Sequence, residues 1–97
     1  METTQLSAIF GSMGQVTRLE ILKLVAPLSK AEGSTGMAAG KIAEALNLAP
    51  PTLSFHLKDM TLRNILQQRR VGREVRYLAN LDLILQALEE VVVQLEK

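Results

Sequence analysis

The sequence predicts a mainly α-helical fold with one β-hairpin, in the order α-α-α-α-β-β-α. Apolar residues make up 47 % of the 97 residues but aromatic residues only 3 %, so an aliphatic core is expected, which favours helix packing over a β-sandwich. Apolar residues recur at helical spacing along the chain, except in one stretch that begins at Ile65. A chain this short does not hold two independent cores, so residues 1–97 are expected to form a single domain.

The composition also narrows the class of protein. The chain has no cysteine, which excludes disulfides and thiolate metal sites. Its first residues lack the pattern of a signal peptide, and no apolar run reaches the length of a membrane span. We therefore expect a cytoplasmic protein without a membrane segment.

Apolar spacing predicts a first helix over residues 4–13, capped at its start by Thr3 or Thr4. A second helix begins at Thr17. It is apolar on nearly all sides and is therefore expected to be the central helix of the core. Pro27 lacks a backbone N–H and should bend this helix or end it early.

Two further helices follow, joined by about four residues. The first covers residues 38–46 and ends at Asn47, a residue type that tolerates the left-handed conformation. The second begins at Pro50-Pro51 and runs to about residue 63. Its expected buried residues are Leu53, Leu57, Met60 and either Phe55 or Leu62. A short helix, a tight turn and a helix with outward polar side chains describe a helix-turn-helix, whose second helix fits the DNA major groove.

The stretch after Ile65 contains β-branched and aromatic residues around Gly72 and is predicted to form a hairpin. If Arg70 pairs with Arg73, side chains alternate so that one face of the hairpin is apolar and the other is charged. Leu66, Val75 and Tyr77 would lie on one face, and Arg69, Glu74 and Arg76 on the other. Val71 disfavours the positive φ that a tight two-residue turn would require at this position, so a longer connecting loop is an alternative.

The charge is unevenly distributed along the chain. Residues 41–76 carry a net charge of +4, residues 1–40 carry 0 and residues 77–97 carry −3. A basic central segment suggests a local surface for a polyanion. Outward polar residues of the second motif helix are suited to base edges, and the hairpin arginines to phosphates or the minor groove. The candidate DNA-binding residues are Lys41, Thr52, Ser54, His56, Lys58, Arg69, Arg70, Arg73 and Arg76. For Arg69, an ion pair with Glu74 across the strands is an alternative.

A final helix is predicted over residues 81–95, with a broad apolar stripe opposite its acidic side chains. In so small a protein this stripe needs a partner surface, and together with the first helix it suggests a homodimer. The candidate interface residues are Leu6, Ile9, Phe10, Met13, Ile84, Leu85, Leu88, Val91, Val92 and Leu95.

The stretches MGQVTRLEIL, KIAEALNLAPPTLSFHLKDM and NILQQRRVGREVRYLA together resemble the ArsR/SmtB family of winged helix-turn-helix repressors. The resemblance covers roughly residues 9–88. It implies a homodimer that pairs through its first and last helices and a fourth helix that reads an inverted-repeat operator. The sequence departs from the family pattern at several positions, which include Val16, Asn47, Asn64 and Ala49. Pro50 and Pro51 have no polar side chain to offer DNA, so base contacts should fall on Thr52, Ser54 and His56.

The sequence also departs from the metal-sensing members of that family. It has no cysteine, and its only histidine, His56, lies in the reading helix, so neither a metal site nor another cofactor is expected. Two alternatives remain for regulation. The protein responds to a non-metal signal, such as a small-molecule inducer in the dimer interface, or it represses constitutively as a truncated or cysteine-stripped sensor.

Two other functional classes are alternatives to DNA binding, an enzyme and a protein-docking module. Ser54 lacks the Gly-x-Ser-x-Gly context of a nucleophile and has no paired base, so the chain is not expected to be an enzyme. A winged helix that docks onto a protein remains an alternative, because fold does not fix function. A protein-docking module would not need the positive charge concentrated in the reading helix and hairpin.

Overall fold

The computed structural model describes residues 1–97. It contains five helices and a three-stranded antiparallel sheet with the strand order β1-β3-β2. The elements are α1 (Thr3–Met13), α2 (Val16–Ser29), β1 (Met37–Ala38), α3 (Ala39–Leu46), α4 (Pro50–Leu62), β2 (Leu66–Val71), β3 (Glu74–Ala79) and α5 (Leu81–Leu95). This order confirms the predicted sequence of helices and hairpin and adds one short strand before α3.

The core is one cluster of aliphatic side chains, to which all five helices and the hairpin contribute. Ile21 and Val25 of α2 lie at its centre with Ile42 of α3 and Met60 of α4, and all four are fully buried. This confirms the prediction that α2 is the central helix of the core, although Leu19 on its outer side remains 46 % exposed.

The ends of the first two helices differ from the prediction. The residue that caps α1 is Glu2 rather than a threonine, and its backbone N–H donates to Gln5 Oε1 at 3.2 Å. Pro27 neither ends nor shortens α2, which continues to Ser29. Because Pro27 lies in the last turn, its missing N–H removes only one hydrogen bond near the end of the helix. The Ser29 hydroxyl donates to the Val25 carbonyl at 3.0 Å in the same turn.

The predicted helix-turn-helix is formed by α3 and α4. Asn47 ends α3 in the left-handed conformation, with φ 54° and ψ 49°, as its residue type suggested. The inward face of α4 consists of Leu53, Leu57 and Met60, as predicted. The expectation that Phe55 or Leu62 is also buried is wrong, because these side chains are 68 % and 70 % exposed. Both lie on the opposite side of the helix from the residues that fill the core.

The hairpin forms with a two-residue loop. Val71 pairs with Glu74 and Arg70 pairs with Val75, so the suggested pairing of Arg70 with Arg73 is wrong by two residues. Gly72 supplies the positive φ of the turn, at 62°, and Val71 therefore stays in the strand. A shift of two residues leaves every side chain on its predicted face, since side chains alternate along a strand.

The short strand β1 was not predicted. Met37 and Ala38 pair with Tyr77 and Arg76 of β3, and two residues are too few to give an alternating pattern. Gly36 precedes this strand with φ 81°, and a Cβ at this position would lie 2.2 Å from the Tyr77 carbonyl oxygen. The close approach of the loop to β3 therefore requires glycine.

The last helix, α5, is capped by Asn80, whose side-chain oxygen accepts a hydrogen bond from the Leu83 backbone N–H at 3.3 Å. Ala87 is its only fully buried residue, and it lies on the side of α5 that contributes to the common core. None of the helices combines the length and the apolar character that crossing a membrane would require.

Candidate nucleic-acid interface

The outer surface of α4 carries three of the predicted DNA-binding residues. Thr52, Ser54 and Lys58 are all exposed, while the intervening Leu53 and Leu57 fix the helix to the core. Lys41 is exposed on the neighbouring α3. The motif therefore presents hydroxyl and ammonium groups, which are suited to base edges and phosphates.

His56 is half-buried and is held from inside the protein. Arg18 of α2, only 4 % exposed, donates from Nε to His56 Nδ1 at 3.0 Å and from Nη1 to Asp59 Oδ2 at 2.5 Å. The Ser12 hydroxyl of α1 donates to the same carboxylate oxygen at 2.8 Å. These four side chains link α1, α2 and α4, and they set the position of the motif helix relative to the rest of the fold.

This network also lowers the pKa of two of its members, His56 and Asp59. Burial and, after it, the positive charge of Arg18 lower the pKa of His56, although Asp59 acts in the opposite direction. Because Nδ1 accepts from Arg18, the neutral imidazole carries its hydrogen on Nε2. The hydrogen bond from Ser12 is the main cause of a lowered pKa at Asp59, and Arg18 and Arg63 act in the same direction.

Arg18 is a site residue that the sequence analysis did not single out. It lies within the Thr17-Arg18-Leu19 stretch that carried part of the family resemblance, but no role was assigned to it. The signal that sequence reasoning overlooked is a lone basic residue on the inward face of an apolar helix, because charged residues are buried only when they are paired. Its partners lie 38 and 41 positions further along the chain, beyond any local pattern.

The hairpin carries four of the predicted residues at different depths. Arg73 occupies the turn, and Arg70 lies on the same face of the hairpin as Val75, its partner in β3. Arg69 pairs with Arg76. The alternative in which Arg69 pairs with Glu74 is therefore wrong, because the two-residue shift in register moves Glu74 opposite Val71.

Glu74 instead approaches Arg76 on its own strand, with 3.9 Å between Oε1 and Nη1. Arg76 is half-buried, and its Nε has no hydrogen-bond partner within the chain. Of the nine candidate DNA-binding residues, those exposed are Lys41, Thr52, Ser54, Lys58, Arg69, Arg70 and Arg73.

The predicted interface residues divide into three groups by burial. Leu6 and Ile9 are 4 % and 6 % exposed within the chain's own core, so the prediction that they form a dimer surface is wrong. The inward face of α1 already packs on the core, and these two residues belong to that face. Partly buried at the edge of the core are Phe10, Met13, Ile84 and Val91. A stripe along α5 is exposed, and it consists of Leu85, Leu88, Val92 and Leu95.

No three of the chain's histidine, aspartate and glutamate side chains lie close enough together to hold a metal ion. The acidic residues of α5 also do not converge on one point, because Asp82, Glu89 and Glu96 follow one another at seven-residue intervals, about 10 Å apart along the helix. The helix-turn-helix α3–α4 and the adjoining basic hairpin β2–β3 are the parts of a winged helix-turn-helix, and α5 adds an exposed apolar stripe.

Comparison with known families agrees with this architecture. The family model described as "Helix-turn-helix domain" matches residues 13–68, which is more than half of the chain and includes α2, α3 and α4. The chain therefore belongs to this helix-turn-helix family. A comparison with curated protein sequences finds no significant match.

Solved structures with the same fold include an ArsR-like transcriptional regulator from Rhodococcus sp. RHA1. It is 25 % identical, with a TM-score of 0.72, and the match covers 96 % of this chain and 84 % of that one. NolR from Sinorhizobium fredii is also 25 % identical, with a TM-score of 0.69 and coverage of 91 % and 84 %.

A homodimeric winged helix-turn-helix DNA-binding domain from Mycobacterium bovis matches with 23 % identity and a TM-score of 0.71, covering 96 % of this chain and 81 % of that one. At this level of sequence identity the match shows only that the two proteins share a fold. The chain is thus an ArsR/SmtB-like winged helix-turn-helix protein, and these comparisons point to a regulator rather than an enzyme.

Proposed function

We propose that this protein is a transcriptional repressor that binds an inverted-repeat DNA operator as a homodimer, with residues 1–97 acting as one DNA-binding domain. The observation that carries the proposal is the exposed polar surface of α4, flanked by a hairpin with three exposed arginines. This surface lies in the segment of net charge +4. A polyanion is the partner that such a surface attracts.

In this proposal α4 enters the major groove with its N-terminal half. Thr52 and Ser54 are placed to contact base edges, and Lys58 to contact a phosphate of the groove wall. His56 has a smaller part in base contact than the sequence suggests, because its Nδ1 is already bound to Arg18. Only its Nε2–H is free to donate to DNA.

The hairpin β2–β3 is proposed to act as the wing. Arg70 and Arg73 project from its tip, where they would reach the phosphates beside the major-groove site. Arg69 and the half-buried Arg76 lie on the other face, and they would add charge rather than specific contacts. Phosphate contacts of this kind fix the register of the protein on the duplex.

The homodimer is proposed to form mainly through α5, with further contacts from Phe10 and Met13, two partly buried residues of α1. Its exposed stripe runs along the helix through Leu85, Leu88, Val92 and Leu95. Exposed apolar stripes of this kind mark surfaces that associate, and an isologous pairing would relate the two α4 helices by a twofold axis, as an inverted repeat requires. The homodimeric domain from Mycobacterium bovis supports the same assembly.

Regulation and location belong to the same proposal. The chain lacks the thiolates and the second imidazole of a metal-sensing site, so release from DNA by thiophilic metals is not proposed. A small-molecule inducer and constitutive repression remain the two alternatives. The predicted cytoplasmic location is retained, because a repressor must reach its operator.

The test is selection of bound duplexes from a random DNA pool, followed by gel-shift titration at several salt concentrations. The proposal expects an enriched inverted repeat, with half-sites about one helical turn apart. Affinity should fall steeply as salt rises, because bound phosphates release counterions. If no sequence is enriched and no duplex is retained at low salt, the protein is not a DNA-binding repressor.

One observation favours the alternative of a protein-docking module. Phe55 and Leu62 expose large apolar side chains on α4, and apolar surface is a feature of protein interfaces. The same titration separates the two classes, because a protein-docking module has no reason to enrich a DNA sequence.

A further inference from the structure

Phe55 lies where DNA-reading residues are expected, but it is not polar. Its side chain is 68 % exposed and stands at the middle of the outer face of α4, opposite Leu53, Leu57 and Met60. Phenylalanine is among the residue types most often buried. Within this chain the core lies on the other side of the helix, so folding leaves the ring on the surface.

The ring is held in place although it is exposed. The Arg18 guanidinium carbon lies 5.9 Å from its centroid, and the His56 ring meets it edge-on at 5.9 Å with an interplanar angle of 73°. Such contacts favour one orientation of an aromatic side chain. Arg18 is itself fixed by Asp59, so the buried network continues outward to the Phe55 ring.

We propose that Phe55 reads thymine, by packing its ring against the 5-methyl group in the major groove. This inference rests on the proposed function, since it requires α4 to enter DNA. The thymine methyl is the apolar group that base pairs present in the major groove, and a phenylalanine is a suitable partner for it. Its neighbours in the groove would be the hydroxyl of Ser54 and the ammonium of Lys58.

The charge around the ring favours DNA over an apolar protein surface as the occupant. Lys58 lies one turn beyond Phe55, and Arg63 follows at the end of the helix. The one acidic residue of this region, Asp59, is paired with Arg18 and also with Arg63. An apolar side chain beside the unpaired positive charge of Lys58 is suited to a partner with anionic walls and an apolar floor. The major groove at a thymine has both.

The test replaces each thymine of the selected operator by deoxyuridine, one position at a time. Deoxyuridine removes the methyl group and keeps the base-pairing and hydrogen-bonding groups. We expect one thymine in each half-site at which the substitution weakens binding by about fourfold, the effect of losing one buried methyl group. In Phe55→Ala the same substitution should have no effect, which makes the two changes a double-mutant cycle.

The matched control is Leu62→Ala. Leu62 is also apolar and 70 % exposed on α4, but it lies two turns further from the N-terminal end that enters the groove. This variant should keep the methyl sensitivity of the wild type. Far-UV circular dichroism and sedimentation verify that both variants are folded and assembled like the wild type.

Several results would overturn the inference. Selected half-sites without thymine, equal affinity for thymine and deoxyuridine duplexes, or methyl sensitivity that persists in Phe55→Ala each exclude this role of Phe55. All three leave the protein a DNA-binding regulator. Failure to bind any duplex is a different result, which overturns the proposed function and this inference with it.

Discussion

A buried arginine joins three helices of this fold. Arg18 is nearly inaccessible, while its partner Asp59 keeps 27 % of its side chain exposed. Such a pair contributes little net stability relative to an apolar replacement, but removal of one partner leaves the other charge buried alone. The network is thus better described as a device for positioning α4 than as a source of stability.

Asp59→Asn should lower the free energy of unfolding by about 3 kcal/mol, because it leaves the buried Arg18 charge without its counter-ion. Urea denaturation at neutral pH measures the change. Glu20→Gln is the matched control, since it removes a carboxylate from the exposed pair with Lys23, and it should cost less than about 1 kcal/mol. Equal effects of the two substitutions would show that the Arg18 network is no more important than a surface pair.

His56 makes the stability depend on pH. Its folded pKa lies below the ordinary value of 6.5, so the unfolded chain binds a proton more readily than the folded chain does. The stabilisation is therefore complete above about pH 6.5 and is lost as the pH falls through the folded pKa. Asp59 acts in the same direction, but only below its own ordinary value of 3.8.

His56→Gln should flatten the dependence of stability on pH between about pH 7 and pH 5, because the chain has no other histidine. Thermal or urea unfolding at a series of pH values measures this slope. Wild-type protein should lose stability over the same range. A slope that is the same in both proteins would mean that the imidazole titrates normally in the folded state.

At the scale of secondary-structure elements, the hairpin carries its proposed DNA-binding residues at a tip that does not pack on the core. Its inner end is fixed by Leu66 and Ala79, which are buried, whereas its tip is exposed. The tip therefore carries charge without a structural requirement for any one residue except Gly72, whose φ is positive. Substitutions of the tip arginines should leave the fold intact.

Replacement of Arg70 and Arg73 by alanine should weaken binding to operator and random DNA by similar factors. The slope of log affinity against log salt should fall by about 1 for each phosphate contact that is lost. Gel-shift or anisotropy titrations over a salt series measure both quantities. Lys23→Ala removes an exposed positive charge from α2 and is the control. If Lys23→Ala changes the affinity and the salt slope as much as replacement of Arg70 and Arg73 does, DNA binding depends only on the overall charge of the protein and not on the hairpin.

At the scale of the whole molecule, the chain is elongated, with extents of 47 × 29 × 18 Å. Its exposed apolar surface is concentrated on α5 and on the outer face of α4. Two such surfaces on different elements suit two different partners, a second copy of the chain on α5 and DNA on α4. The exposure of Leu88, at 45 %, means that a polar substitution at this position does not disturb the core of one protomer.

Leu88→Glu should convert the dimer into a folded monomer, because a carboxylate in an apolar seam is costly without a partner. Sedimentation gives the mass, and circular dichroism verifies the helix content. Gln86→Glu adds the same charge on the other side of α5 and should stay dimeric. A normal Leu88→Glu dimer would indicate that the interface lies elsewhere.

Several features of the fold were predictable because they depend on neighbours along the chain. The helical period located α1 to α5, Asn47 marked the left-handed end of α3, and the alternation in the hairpin assigned its faces. The inward residues Leu53, Leu57 and Met60 followed from the same period. The candidate DNA-binding residues were also recognisable from charge and motif, and their roles remain predictions.

The sequence by itself determined the order of elements and the basic segment, because steric preference, periodicity and charge are local properties. Only the tertiary structure decided which apolar side of a helix is covered, since covering depends on elements distant in the chain. It buried Leu6 and Ile9 in the core, and it left Phe55 outside. It also brought Arg18 to Asp59 across 41 positions, a pairing that no local pattern encodes.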